Sequence, residues 1–87
     1  MTTKNETLYG IRASDYNTLR EAIATAIGLS AKHGEPHALH VHDFDLDAAR
    51  AVLAGWCSAQ SCGGREFVGT DLTSGRFATV ELVEVRA

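Results

Sequence analysis

The chain has 87 residues, a formal net charge of −3 and apolar side chains at 45% of its positions, thirteen of these being alanine. That length holds one domain with a thin core, read here as a poorly ordered segment over residues 1–6 and a single compact domain over 7–87. Eleven carboxylates against eight Lys and Arg leave no basic footprint for a phosphate backbone, so direct nucleic-acid binding is not expected. No apolar run nears the ~18 residues a membrane span needs, and Met1–Glu6 lacks an apolar signal core, which predicts a soluble, cytoplasmic protein with no membrane partner.

In chain order, Leu8 to Ala13 alternates as a first strand, with Tyr9, Ile11 and Ala13 on one face. Ser14 and Asp15 supply a helix start signal, because a short side-chain oxygen accepts from the unpaired amides of a first turn. Tyr16, Leu19, Ile23, Ala26 and Ile27 then recur at helical spacing to about His33, where Gly34 suits a left-handed cap and Pro36 blocks continuation. The segment His37 to Phe44 alternates again, placing Leu39 and Val41 on one face and Ala38, His40, His42 and Phe44 on the other.

Asp45 reads as the cap of a second helix over about 46–58, with Leu46, Ala49, Val52, Leu53 and Trp56 on its inward stripe and Gly55 weakening its end. Ser61 to Gly64 is a loop by composition. Residues 65–71 and 76–85 flank Leu72-Thr73-Ser74-Gly75 as a hairpin, and the last of these segments, the longest alternating run in the chain, belongs at the centre of a sheet. The fold class that follows is an α+β two-layer sandwich in βαβαββ order. Its four-stranded mixed sheet is covered on one face by two helices.

Chemistry-bearing residues concentrate in one stretch, since all four histidines, His33, His37, His40 and His42, fall within ten positions. His40 and His42 share a strand face, a spacing able to hold a transition metal if His37, Asp43 or a cysteine, Cys57 or Cys62, completes the shell. The plainer reading is a histidine-bearing solvent face. Asp43, Asp45 and Asp47 resemble the opening of a calcium loop, but Ala48 and Ala54 stand where that loop needs its glycine and its closing glutamate. Helix capping explains them better. Cys57 and Cys62 are five apart, unlike a redox pair, and read as reduced structural thiols unless the helix ends early enough for the chain to curl back.

Neither a cofactor loop nor a nucleophile motif emerges, so no cofactor is expected. The function expected is a non-enzymatic protein–protein interaction: a small acidic inhibitor or adaptor that covers part of a larger complex, such as nucleic-acid-handling or host-defence machinery of the CRISPR or restriction kind. Its expected partner-binding residues are His40, His42, Asp43, Phe44, Asp45 and Asp47. The alternatives are a metal-binding or metal-sensing protein using His37, His40, His42 and Cys57, and a small enzyme with a histidine acid or base. An exposed sheet edge also leaves a homodimer open.

Overall fold

A computed structural model describes residues 10–57 and 66–85 of the protein. The four strands are β1 (Gly10–Arg12), β2 (His37–His42), β3 (Glu66–Thr70) and β4 (Phe77–Val85), and the helices are α1 (Leu19–His33) and α2 (Leu46–Trp56). They form a mixed sheet in the order β1-β2-β4-β3, in which β1, β2 and β4 run parallel and β3 is antiparallel to β4. Both helices pack on one face, as the α+β two-layer reading requires.

Register decides which side chains the helices cover. Leu39 lies between Ile11 and Leu82, and Val80 between His37 and Phe67. Leu39, Val41, Phe67, Ala78, Val80 and Leu82 meet Ala22, Ile23, Ala26 and Ala31 of α1 and Ala49 and Leu53 of α2 in one core cluster, with Ile11 packed against it. The alanines on the helices bring backbone close to the sheet, which lets a core of few large side chains stay closed. Leu39, Leu53, Val41 and Val80 are its largest fully buried residues.

Local chemistry sets the element ends, and several of them differ from the sequence expectation. Residues Ala13–Asp15 form a short 3-10 turn, and α1 starts only at Leu19, where the Thr18 hydroxyl accepts from the Glu21 amide at 3.1 Å. Thr18-Leu19-Arg20-Glu21 has the spacing of a capping box, so the cap is Thr18 and neither Ser14 nor Asp15. At the other end Gly34 takes the left-handed conformation (φ 70°, ψ 26°) and its amide donates to the Ser30 carbonyl at 2.8 Å. β1 is shorter than expected, with Ala13 already in the turn. Leu8, Tyr9 and the expected boundary near residue 6 lie outside the described residues.

The hairpin between β3 and β4 closes as its sequence suggests. Asp71 accepts on Oδ2 from the Ser74 amide and hydroxyl, its own amide donates to the Arg76 carbonyl, and Gly75 supplies the positive φ of 74°. Two longer contacts tie this hairpin to the helices. The Trp56 indole donates to the Thr70 carbonyl at 3.0 Å, and the Arg76 guanidinium donates to the Ala31 carbonyl at the end of α1 at 3.3 Å. Trp56 lies directly on Gly69, where a Cβ would stand 2.7 Å from the ring.

That contact separates two glycines that sequence alone treats alike. Replacing Gly69 by alanine forces the indole or β3 to move, so G69A should lose about 1–3 kcal/mol. Gly55 in α2 has nothing within 4 Å of its missing Cβ, so G55A should gain roughly 0.5–1 kcal/mol from helix propensity. Urea unfolding of both variants measures the difference, and equal effects of the two would contradict the packing described.

Candidate functional site

The parallel pairing of β1 with β2 brings the turns that follow them side by side. The first turn carries Ser14 and Tyr16 and runs into Asn17 and Thr18 at the start of α1. The second is a 3-10 turn over Asp43–Asp45 that leads into α2. Between them lies a groove of about 260 Å³, bordered by Ser14, Asn17 and Thr18 on one side and by His42, Phe44 and Asp45 on the other.

Phe44 departs from its sequence expectation. Periodicity extends β2 through Phe44, but the strand ends at His42 and the chain turns, lifting Phe44 off the sheet. Its ring stacks on the His42 imidazole with centroids 5.2 Å apart and planes 6° from parallel, yet it remains 75% exposed. An aromatic held on one side and bare on the other loses little side-chain freedom on binding, which is the physical profile of an interface anchor.

Carboxylates flank Phe44 along the chain. Asp43 and Asp47 are exposed and Asp45 is half-buried. Asp45 does occupy the cap position of α2, but its side chain makes no cap hydrogen bond and its backbone is already helical (φ −104°, ψ 0°). The capping expectation therefore holds for Asp45 by position only, and for Asp47 through its place in the first turn, where negative charge complements the helix dipole. Asp47 also stands 3.9 Å from Arg50, a solvent-exposed pair that contributes little.

Of the six expected binding residues, His42, Asp43, Phe44 and Asp45 come together at this end of the sheet, and Asp47 follows one turn along α2. His40 does not join them. It sits mid-strand on the open face between Arg12 of β1 and Val83 of β4, with its ring over Gly10. Burial lowers its pKa, the neighbouring Arg12 charge lowers it further, and Glu81 opposes both. Sequence reasoning missed Ser14, Asn17 and Thr18 as groove residues. Their place depends on which strand β1 pairs with, although the Thr18–Glu21 spacing could have located the start of α1.

The alternative metal set is separated by the fold. His37 points to the helix face in the row of Val80 and Phe67, whereas His40 and His42 point to the other side. Cys57 is disulfide-bonded, which corrects the expectation of reduced thiols. The physical reason is the early end of α2: the helix stops at Trp56 and Cys57 is already extended (φ −64°, ψ 129°), so the chain turns away from the axis there. The other cysteine of the chain, Cys62, lies outside the described residues. Among the described residues no three of His, Cys, Asp and Glu gather to hold a metal ion, and no helix is long and apolar enough to cross a membrane.

His37 has a structural consequence of its own. It is 7% exposed and its Nε2 has no hydrogen-bond partner, whereas the other buried polar side chain among the described residues, Ser30, donates to the Glu35 carbonyl at 2.6 Å and accepts from the Thr79 amide at 2.8 Å. Burial first, and the nearby His33 second, lower its pKa below the ordinary 6.5. The folded state therefore binds this proton less readily than the unfolded one. Stability should be full above pH 6.5 and fall as pH drops below it, with His40 acting in the same direction. Denaturant unfolding of wild type and H37L between pH 7.5 and 5 tests this: the substitution should flatten the acid-side slope, and an unchanged slope would show that His37 is not its source. No family model, no curated protein and no solved structure matches the chain.

Proposed function

We propose that this protein is a non-enzymatic binding protein, an inhibitor or adaptor that uses the Phe44 end of its sheet to cover a surface of a larger protein complex. The observation that carries this reading is the exposed Phe44 ring, stacked on His42 in a segment that also carries Asp43, Asp45 and Asp47. Such a patch is complementary to an apolar pocket with a basic rim, because aromatic anchors concentrate binding energy and the surrounding carboxylates steer and orient the encounter.

Basic rims of that kind occur where a protein holds a phosphate backbone. The partner class proposed is therefore nucleic-acid-handling or host-defence machinery, such as a CRISPR or restriction complex, with the acidic end taking the place of nucleic acid. The reading puts the chain in the cytoplasm, where such machinery acts. The disulfide at Cys57 is the one feature that favours an oxidising compartment instead.

The test is competition. Adding the protein to purified CRISPR or restriction complexes of its host should block nucleic-acid binding or cleavage. F44A should weaken that effect by about tenfold or more, the loss typical of a central aromatic anchor, and D43K/D47K should weaken it further in a salt-dependent way. Full inhibition by both variants, or no effect of the wild type on such complexes, would remove the proposal.

A further inference from the structure

The two helices cover one side of the sheet, and neither packs on the other. Across the open side, register sets two neighbouring rows of side chains. Arg12, His40 and Val83 form one row on β1, β2 and β4; Ala38, Glu81 and Glu66 form the next on β2, β4 and β3. Val85, Val68 and Phe77 extend the face along β4 and β3, and Phe77 is 76% exposed. Among the described residues no second layer lies on this face, and its apolar side chains make a surface that such a layer would bury.

Charge is distributed unevenly over this face. Among the described residues its cation, Arg12, lies on the β1 side, and its carboxylates, Glu66 and Glu81, lie on the β3–β4 side. A two-fold axis parallel to the strands and midway between β2 and β4 lays β1 of one copy over β3 of the other. Arg12 of each copy then faces the Glu66 and Glu81 side of its mate, offset along the strand by one row, about 6.6 Å, a gap that a long guanidinium side chain spans. The same operation sets His40 over Val83. A two-fold axis across the strands would instead bring the two Arg12 side chains together, so charge selects the first arrangement.

We propose that a second copy of this chain covers the open face of the sheet, in a two-fold sandwich with strands roughly aligned and Arg12 of each copy paired to Glu66 and Glu81 of the other. The symmetry is isologous, so one charged strip on either side of the axis serves both copies. The face is small: four strands about 4.8 Å apart, crossed by a β2 of six residues, project only ~400 Å² per copy, below the area of stable specific interfaces and in the range of weak, transient ones. The pairing is therefore concentration-dependent. It leaves the Phe44 ring, lifted off the sheet by its turn, outside the pair of rows that meet.

Sedimentation velocity on the full chain, from low micromolar to near-millimolar concentration, reads the assembly. Wild type should pass from monomer to dimer, and added salt should weaken the dimer because part of its strength is screened charge. R12E and the double variant E66R/E81R should each raise the dissociation constant at least about tenfold through like-charge repulsion. An equimolar mixture of those two variants should dimerise again, because every reversed charge then meets its opposite. Circular dichroism of each variant separates lost pairing from lost folding, and rescue on mixing itself requires both to be folded. F44A should dimerise as wild type does, which keeps this result apart from the fate of the partner-binding site. A wild type that stays monomeric throughout, a dimer indifferent to either reversal, or a mixture that fails to dimerise would overturn the proposal.

Discussion

The pairing of β2 with β4 joins residues 37–42 to residues 80–85 along six consecutive register positions. The rest of the molecule is arranged around that ladder. Leu39, Val41, Val80 and Leu82 lie on it and point to the helices, and all four are almost fully buried. α1 and α2 can lie side by side only because these two strands form a continuous floor beneath both. The paired segments are about forty residues apart, and non-local parallel pairing of this kind slows folding because loop closure costs entropy before the contacts form.

One layer of helices can cover one face of a sheet, and that limit shapes the surface. The carboxyl ends of β1 and β2, with the turns after them, project beyond the helix layer and carry Phe44 and its carboxylates. The opposite side of β2 and β4 carries His40, Glu81, Val83 and Val85. The histidines illustrate the division. Alternation along β2 sends His37 inward, where burial lowers its pKa and its Nε2 finds no partner, and sends His40 and His42 outward. Three imidazoles within six positions thus meet three different environments, and the metal set suggested by their proximity in sequence comes apart.

Much of the architecture is legible in the residues. The alternation of residues 77–85 marks the central strand, and Gly34 with Pro36 marks the end of α1. The apolar spacing of Leu46, Ala49, Leu53 and Trp56 marks the buried side of α2. These signals survive because each is repeated over several turns or strand positions. Single-position events were not legible in the same way. Tyr16 continues the helical spacing but precedes the cap, since Thr18 satisfies the Glu21 amide and Ser14 makes no such bond. Phe44 continues the strand alternation but sits in a turn, and that turn is what exposes it. Strand order is carried by no local pattern, so neither the groove beside Ser14 nor the Arg12–His40–Glu81 grouping could be read before β1, β2 and β4 were placed together.

The central claim is that, among the described residues, a single helix layer covers one side of the β2–β4 floor and leaves the other side facing outward. Methyl relaxation enhancement by a neutral, soluble paramagnetic probe tests it most directly, recorded at a concentration low enough for the monomer. The account predicts a period-two pattern along β4, with strong enhancement at Val83 and Val85 and little at Ala78, Val80 and Leu82. Equal protection of both sets would mean that each chain covers both faces of its own sheet, and would contradict the account.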